Sequence, residues 1–166
     1  SAMNFGPRWI SWIKKNFKSS RISVLVNGAP SGEFSPSRGL RQGDPLSPLI
    51  FNLVGESLST LLSLGVQKHI FGGLHLKGGI DNFTHLQYAD DVILFLKNED
   101  SSVMGAKRIL QCFQLLSGMK VNFTKSKIFS FHATVAQIQK WTACLCCMHG
   151  SLPFTYLGAS IGASPT

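Results

Sequence analysis

Residues 84–96 carry the most information about the fold of this chain, and they read Thr-His-Leu-Gln-Tyr-Ala-Asp-Asp-Val-Ile-Leu-Phe-Leu. Two short segments, 84–87 and the apolar 92–96, flank the tetrapeptide at 88–91, and this pattern predicts two antiparallel strands joined by a tight turn. Strands bury their sides, whereas the tip of a hairpin faces solvent or a ligand. The two adjacent carboxylates of the tetrapeptide are therefore expected at an exposed tip.

Asp90 and Asp91 repel each other, so a hydrophobic hairpin would not select them for stability. A divalent cation removes the repulsion, and hard carboxylate oxygens suit Mg²⁺ or Mn²⁺. The alternative is an ordinary aspartate-containing turn, which is common. The tetrapeptide alone leaves both open, and no metal is expected to be required for folding.

The rest of the chain alternates helices and strands without a regular βαβ repeat. Apolar periodicity predicts helices over 7–17, from 45 or 48 to 64, over 102–117 and over 135–145. A hairpin is expected around Asn27-Gly28, an extended segment over 121–131 and a turn and strand over 152–161. The glycine-rich residues 72–79 are expected to form turns. This order predicts an α+β fold with a mainly antiparallel sheet.

Composition supports one folded domain over 1–166, with residues 1–3 interpreted as a cloning remnant and the starting Met. The chain has a net charge of +8, and 44% of its residues are hydrophobic, which excludes a disordered basic tail. Seven basic residues and one acidic residue lie within 1–41. They form either a solvated surface or a surface that contacts the phosphates of a nucleic acid.

Several function classes are not expected. Purely apolar runs such as 92–96 are far too short to span a membrane, and no secretory signal is recognisable. The four cysteines are too few and too clustered for a disulfide framework, and no second pair completes a zinc site around the CxxC spacing of Cys144 and Cys147. We expect a nuclear or cytoplasmic protein that is not secreted and contacts no membrane.

The loop over 38–48 is a second candidate for function. Gly39 and Gly43 allow close approach of the backbone, while Arg41 and Gln42 can hydrogen-bond phosphate, sugar or base. Either Asp44 before Pro45 or Ser47 before Pro48 is expected to cap the predicted second helix, and for Asp44 capping is expected rather than catalysis.

Four blocks in a fixed order carry a family resemblance. They are Arg-Gly-Leu-Arg-Gln-Gly-Asp-Pro-Leu-Ser-Pro (38–48), Tyr-Ala-Asp-Asp (88–91), Ser-Gly-Met-Lys-Val-Asn-Phe-Thr-Lys-Ser-Lys (117–127) and Leu-Pro-Phe-Thr-Tyr-Leu-Gly (152–158). The chain resembles reverse transcriptases over residues 5–162, and most closely those of non-LTR (LINE-type) retrotransposons, which are abundant in plants. The tetrapeptide alone is weak evidence, but four blocks in order are specific.

The resemblance implies a partial polymerase palm and RNA-directed DNA synthesis by two-metal phosphoryl transfer, with an RNA template and a DNA primer as partners. Asp90 and Asp91 would be the catalytic carboxylates that bind Mg²⁺ or Mn²⁺, and Lys125 would approach the leaving phosphates. The residues implied to bind template and nucleotide are Arg38, Arg41, Gln42 and Gly43, with Tyr88 and Ala89 beside the primer end. Those implied to form the primer grip are Phe154, Tyr156, Leu157 and Gly158.

The chain also departs from the family pattern. The family needs a third carboxylate on an earlier palm strand, and none of the eight acidic residues stands in the matching context. We therefore expect a palm core that lacks the first palm strand, most of the fingers and the thumb. Alone, this chain is expected to show no measurable polymerase activity. Its open sheet edge would favour self-association or contact with another protein.

Three interpretations stay open at this point. The chain is a fragment of a transposon polymerase, a retained non-catalytic module that binds RNA or DNA, or a protein-interaction fragment in which Asp90 and Asp91 are relics. Salt-dependent RNA binding would favour the second over the third.

Overall fold

The computed structural model describes residues 5–36, 39–40, 43–76 and 78–162. Within these ranges the chain forms four helices and ten short strands. The helices are α1 (Pro7–Ser19), α2 (Ser47–Gln67), α3 (Asp100–Ser117) and α4 (Val135–Leu145). The predicted α+β class is confirmed, and α4 coincides with its predicted range.

The strands pair in five two-stranded sheets among the described residues. The antiparallel pairs are β1 (Leu25–Val26) with β2 (Ala29–Pro30), β3 (Leu74–Leu76) with β4 (Ile80–Phe83), β5 (His85–Tyr88) with β6 (Asp91–Leu94), and β9 (Phe154–Tyr156) with β10 (Ala159–Ile161). The fifth pair, β7 (Lys127–Ile128) with β8 (Met148–His149), is parallel. Small, mostly antiparallel sheets among helices agree with a partial reverse-transcriptase palm.

The chain divides into two compact units, residues 1–47 and 48–166. The first unit contains α1 and the predicted hairpin, which turns at Asn27 (φ 51°) and Gly28 (φ 81°). Positive φ at both central residues matches the twist of a two-residue hairpin, and Asn-Gly tolerates it. The bridge between Ile22 and Phe34 extends this hairpin beyond β1 and β2.

The hydrophobic core of the second unit lies between α2 and α3. Its buried members are Leu58, Leu62, Phe71, Ile109 and Phe113. Each such side chain contributes about 1.5–3 kcal/mol when removed from water. Leu94 and Leu96 pack against this cluster, so the core also fixes the chain at and just beyond β6.

Glycine allows α3 to approach the loop after α2 closely. A Cβ added to Gly105 would lie 2.1 Å from the carbonyl oxygen of Ile70. Because that contact involves backbone, a side chain at position 105 would force α3 away from the core.

Polar contacts to α3 hold helix α4 at its middle and near its C-terminal end. The Asp100 carboxylate accepts hydrogen bonds from Trp141 Nε1 (2.6 Å) and Lys140 Nζ (2.5 Å), and Lys107 Nζ donates to the carbonyl of Cys144 (2.6 Å). The hydrogen bonds from Lys140 and Trp141 lower the pKa of Asp100. The start of α4 carries the capping box of Thr134 and Gln137.

Two sequence expectations were wrong in detail. Residues 122–126 form a turn rather than an extended segment, because the Asn122 side chain accepts from the backbone N–H of Lys125 (3.2 Å). The glycine-rich stretch predicted as turns contains the β3–β4 hairpin. Its glycines at 78 and 79 form the turn, and its strands were too short to recognise.

Helix α2 is long and apolar enough, by length and composition alone, to cross a membrane. It is the one such helix among the described residues, and the core helix of a soluble protein passes the same test. In the second unit Leu58 and Leu62 of α2 are buried in the core. The expectation of no membrane contact stays a prediction.

Candidate active site

The hairpin of β5 and β6 presents both carboxylates at its tip. Tyr88 pairs with Asp91, so Ala89 and Asp90 form a two-residue turn. Both aspartates are exposed. Ala89 has φ 51°, in the left-handed region that the first residue of such turns requires and that glycine or asparagine usually fills.

The opposite face of the hairpin rests on α2. Half-buried His85 and Gln87 alternate with exposed Leu86 and Tyr88 along β5. A Cβ added to Gly55 of α2 would lie 2.6 Å from Gln87 Nε2, so a glycine is what lets the amide sit against the helix. This contact was missed from the sequence, where a glycine inside an apolar helix pattern was its only signal.

His85 joins the base of the hairpin to α2. Its Nε2 lies 2.9 Å from Ser59 Oγ, and its Nδ1 lies 2.8 Å from Thr84 Oγ1. Burial lowers the pKa of His85 from its ordinary 6.5, and the charge of Glu56 partly opposes this. The neutral imidazole, which both donates and accepts, suits two hydroxyl partners.

The predicted primer-grip residues form a second hairpin. β9 and β10 turn at Leu157 (φ 50°) and Gly158 (φ 83°). On β9, Phe154 stacks on Phe129 with ring centroids 4.1 Å apart. This stack anchors the base of the hairpin.

The two hairpins meet at their tips. The Tyr156 hydroxyl donates a hydrogen bond to the backbone carbonyl of Asp91, with an oxygen–oxygen distance of 3.4 Å. Two blocks that lie 65 residues apart in sequence therefore come together in one surface region.

The remaining predicted site residues lie outside the two hairpins. Lys125 lies in the turn at 122–126 with an exposed side chain, which makes no hydrogen bond or ion pair with any residue of the described ranges. Gly43, in the first unit, is exposed with φ 85°. Asp44 Oδ1 accepts from the backbone N–H of Leu46 (2.9 Å) just before α2. Arg38, Arg41 and Gln42 lie outside the described residues, as do residues 1–3.

The Asp90–Asp91 pair fits a divalent cation chemically. Exposed carboxylate oxygens are the ligands that Mg²⁺ prefers, and Mg²⁺ is commonly held by one or two carboxylates together with water and substrate phosphates. Among the described residues no group of three or more His, Cys, Asp or Glu side chains could hold a metal. Further ligands would therefore come from outside this pair.

An α+β fold that presents paired carboxylates on a hairpin tip is the arrangement expected of a nucleic-acid polymerase palm. Residues 1–161 match the family model described as reverse transcriptase (RNA-dependent DNA polymerase). The chain belongs to the reverse transcriptase family, as its four sequence blocks predicted.

Curated relatives come from a plant and from transposable elements. An uncharacterized mitochondrial protein of Arabidopsis thaliana is 45% identical over 70 residues, 42% of this chain and 57% of that protein. The retrovirus-related Pol polyprotein from the type-2 retrotransposable element R2DM of Drosophila melanogaster is 31% identical over 120 residues, 70% of this chain and 10% of that protein. The transposon TX1 uncharacterized 149 kDa protein of Xenopus laevis is 29% identical over 128 residues, 75% of this chain and 9% of that protein.

These relatives confirm the resemblance to reverse transcriptases of non-LTR retrotransposons. The chain spans 57% of the Arabidopsis protein and a tenth or less of the two transposon proteins.

Proposed function

We propose that this chain is the palm core of a retrotransposon's RNA-directed DNA polymerase, in which Asp90 and Asp91 hold Mg²⁺ or Mn²⁺. The observation that carries the proposal is the exposed carboxylate pair at a hairpin tip in hydrogen-bond contact with the second hairpin. When bound, such cations supply Lewis-acid stabilisation of phosphate charge.

The remaining site residues take the roles that the family's sequence blocks imply. Tyr88 and Ala89 lie beside the primer end, and the β9–β10 hairpin grips the primer through Phe154, Tyr156, Leu157 and Gly158. Lys125 neutralises charge on the leaving phosphates, for which its exposed side chain is suited. Template and incoming nucleotide contact Arg38, Arg41, Gln42 and Gly43.

Measuring the binding of a primer–template to the isolated chain tests this proposal. We expect an RNA–DNA primer–template to bind more tightly when Mg²⁺ is added, because a cation held by Asp90 and Asp91 would supply positive charge that attracts the phosphates. Asp90→Asn and Asp91→Asn should each remove the Mg²⁺ enhancement, whereas Glu33→Gln, at an exposed position in the first unit, should retain it. An enhancement that survives both aspartate changes would contradict the proposal.

The isolated chain is proposed to be inactive. All eight acidic residues lie in the described ranges, and no third carboxylate joins Asp90 and Asp91 there. We expect no product in a primer-extension assay with Mg²⁺ or Mn²⁺. Product that disappears with Asp91→Asn would overturn this part of the proposal.

A second candidate function is non-catalytic binding of RNA or DNA. The excess of basic over acidic residues favours it, since Arg8, Lys14, Lys15 and Lys18 are all exposed on α1 and no acidic residue lies on that helix. RNA binding that is independent of Mg²⁺ and weakens steeply with salt would support this function over the polymerase core. An absence of RNA binding with capture of a protein partner would support neither nucleic-acid role.

A further inference from the structure

The two hairpins of the candidate site are each anchored at the base by separate packing. Leu94, at the base of the β5–β6 hairpin, packs on the core, and Gln87, one position before the tip pair of Tyr88 and Asp91, rests against Gly55. The β9–β10 hairpin is held by the stack of Phe154 on Phe129. None of these contacts joins one hairpin tip to the other.

Tyr156 supplies a connection between the tips. It lies on the same face of β9 as Phe154, because the two are two residues apart on a strand. With Phe154 anchored, the Tyr156 ring projects toward the β5–β6 hairpin and its hydroxyl reaches the Asp91 carbonyl at 3.4 Å. Among the described residues this is the hydrogen bond that joins the two hairpins.

The acceptor is the backbone of a candidate metal-binding residue. A hydrogen bond to the backbone carbonyl of Asp91 leaves both side-chain carboxylate oxygens of Asp91 free. The same hydrogen bond limits movement of the Asp91 backbone. The tip needs such a restraint, because its turn contains Ala89 in the left-handed region and has no core contacts of its own.

We propose that Tyr156 is a positioning residue, whose hydroxyl holds the Asp90–Asp91 tip in register with the primer-grip hairpin. The benefit of positioning the two carboxylates rests on the proposed function. The hydrogen bond itself is a property of the folded chain and can be tested without that function. In this role Tyr156 acts on the carboxylate tip through the Asp91 backbone, to which its hydroxyl donates, and does not itself hold the cation.

Hydrogen exchange of the full chain tests the restraint directly. Tyr156→Phe keeps the ring and removes the hydroxyl, so amides of 88–91 and 154–161 should exchange about fivefold faster, the factor expected for loss of one neutral hydrogen bond. The matched control is Thr155→Val on the exposed face of the same strand, which should change exchange by less than about twofold. Unchanged exchange in a folded Tyr156→Phe protein, or an equal effect of Thr155→Val, would overturn the proposal.

Titration with Mn²⁺ alone links the restraint to the metal site. Tyr156→Phe should weaken Mn²⁺ binding about threefold to fivefold, while Thr155→Val should leave it unchanged. A wild-type chain that binds no Mn²⁺ contradicts the proposed function, and the exchange result then still decides the role of Tyr156.

A Raman measurement covers the case in which Tyr156→Phe does not fold. The chain has two tyrosines, so the Tyr88→Phe protein reports Tyr156 alone through the tyrosine doublet, whose intensity ratio distinguishes a donating hydroxyl from a free one. A hydroxyl that only donates supports the proposal, whereas the doublet of a tyrosine hydroxyl in water, which both donates and accepts, contradicts it.

Discussion

Ala89 carries a backbone conformation that its side chain disfavours. Its φ of 51° brings Cβ close to the following carbonyl, which costs about 1–2 kcal/mol for an L-residue. Strain of this kind persists when the surrounding structure fixes the conformation, and it concentrates at functional sites. Here the strained residue stands directly before the two carboxylates, which agrees with selection for geometry rather than stability.

Replacement of Ala89 by glycine should therefore stabilise the chain. Glycine adopts positive φ without steric cost, and its larger entropy in the unfolded chain offsets part of the gain. We expect Ala89→Gly to raise the free energy of unfolding by about 0.5–1 kcal/mol in urea titrations. The same change at Ala143, exposed in α4, should lower it by about 1 kcal/mol. Equal destabilisation by both changes would contradict the strained turn.

His85 makes stability depend on pH below neutrality. Burial lowers its pKa in the folded protein below the unfolded value of 6.5, so the unfolded chain binds the extra proton more readily. Stability should be unaffected by His85 well above pH 6.5 and fall as the pH drops below that value. His85→Gln should reduce the loss measured between about pH 7.5 and about pH 5. Parallel curves for both proteins would contradict the assignment.

At the scale of elements, local sequence predicts most of the fold. Helices α1 to α4 and the two hairpins that turn at 27–28 and 89–90 follow from apolar periodicity and turn residues, because those signals lie within a few neighbouring positions. The parallel β7–β8 pair was not predicted, since its strands are two residues long and come together only through α4. The turn at Asn122 was missed because a side-chain hydrogen bond to the backbone overrides an extended pattern.

The contact between Gly55 and Gln87 offers a test of how the hairpin sits on α2. Gly55→Ala improves helix propensity by about 1 kcal/mol, but its Cβ would lie 2.6 Å from Gln87 Nε2. In the Gln87→Ala background the clash is absent, so the same change should be more stabilising there by about 0.5–1 kcal/mol. A double-mutant cycle in urea gives this coupling. A coupling near zero would mean that the amide does not rest on this glycine.

At the scale of the whole molecule, the net charge could be predicted from the sequence, whereas contacts between distant segments could not. The composition gives the net charge of +8, and the sequence shows that the excess of basic residues is concentrated before residue 42. The contact of Tyr156 with Asp91 was not predictable, because no local pattern joins residues so far apart in sequence. The sequence located each candidate block, and the structure shows that two of these blocks meet.

The basic surface of α1 has its own test in the salt dependence of RNA binding. If Lys14, Lys15 and Lys18 contact phosphates, changing all three to glutamine should reduce the slope of log K against log salt by about 2, at roughly 0.7 per cation. Lys68→Gln, at an exposed position after α2, serves as the control and should leave the slope near the wild-type value. An unchanged slope in the triple variant would show that these lysines contact solvent rather than the RNA phosphates.

The central claim is that the Asp90–Asp91 tip is the metal site of a reverse-transcriptase palm. Electron paramagnetic resonance titration with Mn²⁺ tests it most directly, because free and bound Mn²⁺ give distinct signals without any need for catalysis. We predict one weak site in the wild-type chain, weakened roughly tenfold or more, about 1.4 kcal/mol, by either Asp90→Asn or Asp91→Asn, and retained in Glu33→Gln. Identical titration curves for all four proteins would contradict the claim.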